Sequence, residues 1–560
     1  MRRYAAPLVL AGAFLFLLSC NPLLGPLPSG MVSSAMVQHV PYSGTFTYSV
    51  DPGSTPRDVY FVFTNPSLTQ DAASVPTVSG SISVNGKGIP APASQPLSST
   101  NSAPQSITDR IAEFNRNPRA YLPKLSAPGP TATAVPAAGD KVNDTGSFYI
   151  EDVNNPGYVT PITAKCVAVV GATVSGQTRT LSVWIDQSDL SEIGSTALTD
   201  LASTFLQSSG SNDIYHWDTA VVGEPWGPQN DPNLMAWDPH NTVTILLTHL
   251  NAVYSGGVIV GYFWAKDNFT AAALPGSNER IMFYIDSYLY GVKRETGDSG
   301  TWTPTNYWPK IVFSTLAHEF QHMIQFYQKQ VLRGGGSNAT GTDTWINEMC
   351  SMLMEDLVSD KLGVEGPRGV NPTDGSAGAP NNGLGRIPDF NASSNASLAV
   401  AGSNFGLTQY SVAYAFGSWL LRNYGGPALL TRIVQCPETD YTAVVNAAAA
   451  FSGRTESMQL LLERWAASVL ISDNTGAPFG YRYNTGGWMS FSEGSETFNL
   501  GSIDVFNYSP TLTVYSGSAP IPAAPYYSSN IYFKAASMLG GPRTFTVSLP
   551  QGTVMSIVLK

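Results

Sequence analysis

The sequence predicts a multidomain protein in which a small N-terminal all-β, sandwich-like module precedes an α+β unit and a β-rich C-terminal tail. Three observations lead there. The 560 residues exceed what one hydrophobic core usually supports. Runs of aromatic and β-branched residues cluster between about 41 and 92 and again beyond 491, whereas the segment from about 141 to 490 mixes strand runs with helical periodicity. Finally, "APASQPLSSTNSAPQS" (91–106) is a linker by composition and divides the first cluster from the rest.

The opening segment reads as an address. "MRRYAAPLVLAGAFLFLLSC" sets Arg2 and Arg3 ahead of an apolar run too short to span a bilayer permanently, which predicts a signal peptide over 1–19. Its Leu17-Leu18-Ser19-Cys20 ending resembles a bacterial lipobox, so Cys20 is expected to carry lipid and to become the mature first residue. Residues 20–40 are then a Pro/Gly/Ser tether. This places the chain in a bacterial cell envelope, lipid-anchored and either periplasmic or surface-exposed.

Strands follow at "TFTYSV" (45–50) and "DVYFVFTN" (58–65), with an Asn85-Gly86 turn signal in "SISVNGKGIP". A short helix, "TDRIAEFNRN", falls within a linker expected over 93–140. The α+β unit contributes strands at "LSVWID", "NTVTILLTHL" and "RIMFYID". Its helical patterns lie at 189–208, near 308–330, 343–358 and 409–424, and at "SMQLLLERWAASVLI". Four strand runs make up the tail: "TLTVYSG", "SNIYFKA", "TFTVSL" and "VMSIVLK".

Composition narrows the function classes. Charged residues are 12% of the chain, about half the usual share, while Gly (52) and Pro (40) are plentiful, as suits a loop-rich exported protein. A net charge of −11 with no basic stripe excludes nucleic acid as the partner. Cys166, Cys350 and Cys436 are widely spaced with no CxxC, so small buried hydrophobes with at most one disulfide are expected.

The chemistry centres on "HEFQHMIQF" (318–326), in a chain with six histidines. Val312, Leu316, Phe320, Met323 and Tyr327 form one apolar stripe of a helix. His318 and His322, one turn apart, share another face and can bind one zinc ion. Glu319 is rotated about 100° from His318, too far to ligate the same ion but well placed as general base toward water. A catalytic zinc needs a third protein ligand and an open position. Glu348, beyond the glycine-bearing loop "LRGGGSNATGTD", can supply that ligand if two helices reverse against each other. His39, His216, His240 and His249 lack a matching motif and are expected to be structural or exposed.

His318, Glu319, His322 and Glu348 resemble the gluzincin metallopeptidases, and "WINE" (345–348) is similar to the W-x-N-E around their glutamate ligand. "AHEFQHMIQF" resembles the hyicolysin-like peptidases of that clan. The resemblance covers about residues 308–425. It implies a zincin-type fold, one catalytic Zn2+ on His318, His322 and Glu348, and Glu319 as general base. It also implies Glu355 as a partner orienting a histidine. "QYSVAYAFGSWLLRNYGG" (409–426) aligns Tyr410 with the oxyanion-binding tyrosine of the aminopeptidase branch, Tyr414 being the substitute. Two departures stand out. There is no GxMEN-type motif for a substrate's free amine, and Met352 replaces the Asp that thermolysin-like enzymes carry.

These readings converge on an extracytoplasmic zinc endopeptidase acting on protein or peptide substrates. The alternative is a catalytically inactive adhesin or binding lipoprotein on a peptidase scaffold. A further one keeps the zinc chemistry but acts on a non-peptide ester or amide of the envelope.

Overall fold

The computed structural model describes residues 36–40, 44–69, 83–84, 87–88, 107–122, 139–152, 158–238, 240–250, 253–254, 257–291, 301–369, 385–400, 405–516, 527–549 and 552–560. The signal segment, Cys20, residues 20–35 of the tether, the Asn85-Gly86 turn and most of the linker lie outside the described residues.

Strands β1 (Met36–Val40), β2 (Gly44–Val50) and β3 (Arg57–Asn65) come first, followed by helix α1 (Ile107–Arg116). The central sheet draws on β4 (Thr145–Glu151), β5 (Val159–Val174) and β6 (Gln177–Asp186). Helices α2 (Ser195–Phe205) and α3 (Ile214–Val222) then lead to β7 (Val243–Thr248), β8 (Gly261–Tyr262) and β9 (Ile281–Asp286). The spatial order is β8-β9-β7-β6-β5-β4. Strand β7 runs parallel to both neighbours, and the remaining pairs are antiparallel. A parallel step needs a crossover, and α2 and α3 provide it between β6 and β7. Every residue of β7 and β9 is buried, which is why "VTILLT" and "IMFYID" read as unbroken runs rather than alternating ones. Strand β8 is a short edge.

Three long helices follow: α4 (Tyr307–Gln325), α5 (Thr344–Leu362) and α6 (Leu407–Asn423). Helix α4 packs on α5 and α5 on α6. The stripe expected on α4 is the face that folds inward, since Val312, Leu316, Phe320, Met323 and Tyr327 are all buried. Pro309 sits in its first turn, where no backbone donor is lost. Helix α4 runs on without a break into a π-helical turn, Phe326–Val331, with Leu332 N–H bonded to Tyr327 O across five residues at 2.8 Å. Helix α7 (Met458–Leu470) and strands β10 (Ser529–Leu539), β11 (Arg543–Leu549) and β12 (Val554–Leu559) complete the elements used below.

The two ends of the chain, expected as separate β regions, share sheets. One sheet has the order β1-β12-β3-β10 with residues 515–516 at its edge, and β2 pairs with β11 in a second. Strand β3 is therefore central, flanked by strands some 470 residues away in sequence. Its alternation explains the arrangement. Val59, Phe61 and Phe63 enter a cluster with Ile531, Phe545 and Ile557, while Tyr60 and Val62 face the main core. An N-terminal module alone would leave both edges of β3 unpaired.

Candidate metal centre

His318 and His322 sit one turn apart on α4 with ring centroids 4.7 Å apart, and α5 brings Glu348 across from them. Glu348 Oε2 is 3.3 Å from His318 Nε2 and 3.5 Å from His322 Nε2. Two ligands on one zinc at about 2.0–2.1 Å with tetrahedral angles lie roughly 3.3–3.4 Å apart, so these separations fit one ion. The ligand atoms of all three residues fall within 4.8 Å of one another. Glu348 Oε2 is also buried and makes no directed hydrogen bond, an orphan acceptor that a cation would satisfy.

Electrostatics bind the three together. Burial works to raise the Glu348 carboxyl, but the imidazoles of His322 and His318 outweigh it and hold the group far below the usual carboxylate range. Burial alone would lower His318. The Glu348 carboxylate beside it and the hydrogen-bonded Glu355 instead raise it well above the ordinary imidazole value.

The outer face of each histidine is held as well. Glu355, two turns beyond Glu348, places Oε1 2.7 Å from His318 Nδ1 and accepts from Ser314 Oγ at 2.5 Å through Oε2. His322 Nδ1 lies 3.1 Å from Asn347 Oδ1 and 3.1 Å from Ser351 Oγ. Ser351 donates onward to Gln321 Oε1, and an amide oxygen can only accept. His322 therefore carries a proton on Nδ1, and Nε2 is the ring nitrogen that faces Glu348.

Glu319 reaches the edge of the central sheet. Its Oε2 accepts the Phe263 backbone N–H at 2.8 Å, one residue past β8. Burial raises its carboxyl above the usual range, partly offset by His318 and His322. The close approach of β8 to α4 depends on Gly261, where a β-carbon would stand 2.7 Å from Tyr284 O and 3.1 Å from Thr315 Cγ2. Beyond Phe263 the backbone is pinned by Asn115 of α1, which donates to Phe263 O at 2.8 Å and accepts from Ala265 N–H at 2.7 Å. Lys266 and Asp267 are fully buried as a pair, and Tyr284 donates to Asp267 at 2.6 Å.

The two candidate tyrosines separate. Tyr410, half-buried at the start of α6, has its hydroxyl raised well above the usual value by burial and by the adjacent Glu348 carboxylate, against the Arg386 charge. Tyr414 is fully enclosed one turn on, among Asp356, Arg422, Arg368 and Tyr508, and takes no part in the centre. The remaining histidines are elsewhere. His39 contacts Ser556 and Tyr481, His216 pairs with Asp213, His240 is exposed, and His249 stacks on Tyr288. Cys166, Cys350 and Cys436 are all unpaired.

Beside His322 lies a small cleft, open to solvent, that sequence reading did not anticipate. Its walls include Asn115 and Arg116 of α1, Phe263, Gln325, Gln330 and Asn347. Nothing in the spacing of α1 marks it as a site wall. Gln330 was hidden for a different reason, because α-helical geometry turns it about 140° from Gln325.

Two histidines and a glutamate on adjacent helices, with a second buried glutamate at the sheet edge, make a candidate metal centre on a mixed α/β scaffold. The chain belongs to the Peptidase M30 family, whose model matches residues 163–560. It is 27% identical over 235 residues to the neutral metalloprotease ShpI of Staphylococcus hyicus, over 40% of this chain and 44% of that protein. The chain thus matches less than half the length of that relative. Among solved structures it is similar to Legionella pneumophila aminopeptidase A in complex with aspartic acid, at 10% identity and TM-score 0.29, covering 58% of this chain and 32% of that one. It is also similar to a mutant M1 zinc metallopeptidase from Deinococcus radiodurans, at 11% identity and TM-score 0.26, covering 60% and 59%. Helix α1, which forms one wall of the cleft, lies ahead of the residues matched by the family model.

Proposed function

We propose that this chain is a zinc-dependent endopeptidase that hydrolyses peptide bonds of proteins or peptides outside the bacterial cytoplasm, anchored by lipid on Cys20. The observation that carries the reading is the His318–His322–Glu348 cluster, with its ligand atoms within 4.8 Å of one another and an orphaned Glu348 oxygen. Zinc bound there would supply a Lewis acid that acidifies water and polarises the scissile carbonyl. No helix among the described residues is long and apolar enough to cross a membrane.

The residues divide the remaining work. With Glu319 Oε2 held by the Phe263 amide, Oε1 is the oxygen left to take a proton from the attacking water. Burial makes this carboxylate a stronger base than an exposed one, and the acid it becomes can return the proton to the leaving amine. The Tyr410 hydroxyl stays protonated at any working pH and donates toward the oxyanion. Glu355 and Asn347 keep the imidazoles in register. Endopeptidase action is supported by the cleft walls, which carry no carboxylate among the described residues to hold a substrate's terminal ammonium.

The test is cleavage of casein and of small amides by the chain beginning after Cys20, with and without a chelator. Casein cleavage that stops with chelator and returns with zinc is expected. A folded, zinc-loaded chain that cleaves only the small amides would overturn the reading.

A second expectation concerns the ligands. Zinc must displace any proton on His318, and the carboxylates that raise this imidazole strengthen the proton's competition, so zinc affinity should fall as the pH is lowered. Glu355→Gln removes a carboxylate that orients His318, and should weaken zinc binding by about 10–100-fold. Competitive zinc titrations at several pH values read both effects.

A further inference from the structure

We propose that Arg386 is a positioning residue for Tyr410: its guanidinium lies over the phenol ring and fixes where the hydroxyl points. This deepens the endopeptidase reading and rests on the role given there to Tyr410.

Tyr410 lies in the first turn of α6, and its hydroxyl neighbours the Glu348 carboxylate. A donor serves an oxyanion only within about 2.7–3.1 Å of it, so the ring that carries this hydroxyl must be held in one orientation. Two side chains bear on that ring. Phe405 meets it with centroids 5.0 Å apart and planes at 64°. Arg386 sets its guanidinium carbon 5.3 Å from the ring centroid, within the range of a cation–π contact. Arg386 is partly exposed and makes no ion pair among the described residues, and Asp389, one turn on, is exposed and unpaired with it. The Tyr410 ring is the partner the guanidinium has. A planar guanidinium can lie flat on an aromatic face, which an ammonium cannot.

The backbone beneath Arg386 is tied to the helix that carries Glu348. Helix α5 closes at Gly363, with Val364 N–H returning to Ser359 O at 3.0 Å. Gly366 then presses on that end, since a β-carbon there would stand 2.9 Å from Ser359 Cβ. Pro367 O accepts the Arg386 N–H at 2.8 Å. A β-carbon on Gly369 would fall 2.6 Å from Gly385 Cα, so the two stretches of backbone run in contact just ahead of Arg386. The short helix that Arg386 begins, Arg386–Ala392, packs along α6. Tyr410 and Glu348 belong to different helices, and Arg386 gives them a common reference at the end of α5.

A guanidinium engaged with a substrate carboxylate would act on substrate binding and show in KM. One that holds a transition-state donor acts on kcat. The two roles therefore separate by experiment.

The test uses the zinc-loaded chain after Cys20, assayed for kcat and KM on one neutral and one acidic peptide. Arg386→Met should lower kcat on both by about three- to tenfold, with KM changed less than about twofold. Arg386→Lys, which keeps the cation, should restore part of the loss. Tyr410→Phe should cost about 10²-fold, and adding Arg386→Met to it should cost less than about twofold more. Calorimetry with a phosphinic peptide, whose tetrahedral centre carries the oxyanion, should show Arg386→Met binding weaker by the same factor as kcat. Zinc content and Tm should match wild type. Arg386→Gln replaces Arg386→Met if the latter fails to fold. Wild-type kcat in Arg386→Met, or an equal loss with and without Tyr410→Phe, overturns the positioning role and leaves the peptidase standing. A rise in KM confined to the acidic peptide overturns it in favour of a substrate contact. Wild-type kcat in Tyr410→Phe removes Tyr410 from the mechanism and the positioning role with it. No hydrolysis by wild type overturns the peptidase reading and this role together.

Discussion

Glu319→Ala should lose peptidase activity by at least about 10²–10⁴-fold, the usual contribution of a positioned general base, while one zinc per chain remains bound. The substitution removes the carboxylate without touching His318, His322 or Glu348, whose mutual distances are set by α4 and α5. Substrate affinity should change little, so the loss should appear in kcat. Casein cleavage and metal analysis on the same preparation check both halves. Activity equal to wild type would remove Glu319 from the mechanism. Loss of zinc alongside activity would mean that Glu319 is a ligand, contrary to its bond to Phe263.

His322→Ala should lose metal and activity together. It leaves two ligands of three and opens the face that Asn347 and Ser351 hold. Zinc content after dialysis should fall to near zero, where Glu319→Ala retains it. The helix should survive, since alanine is a strong helix former and the apolar stripe of α4 is untouched. A His322→Ala chain that keeps stoichiometric zinc and cleaves casein would overturn the ligand set. The contrast between the two variants separates chemistry from metal binding.

Much of the layout around the centre was legible from spacing. Helices were expected near 308–330, 343–358 and 409–424, and they form at Tyr307–Gln325, Thr344–Leu362 and Leu407–Asn423. The buried strands "VTILLT" and "IMFYID" were legible because parallel strands covered on both faces read as continuous apolar runs. Strand partners were not. The pairing of β3 with β10 and β12 joins segments that each look like an independent β region, since local pattern specifies a strand but not its neighbours.

The nearness of His318, His322 and Glu319 follows from helical periodicity alone, a local property that any fold containing α4 would share. The approach of Glu348 required a reversal that the loop permits but does not enforce, and packing of α5 on α4 settles it. The cleft has no local signature at all. It needs Asn115 and Arg116 from a helix some 200 residues upstream of Gln325, and a π-helical turn that departs from the period used to read the sequence. Periodicity reports which side chains share a face of one element. A cleft between elements exists only once their burial, close approach and backbone hydrogen bonds have been satisfied together.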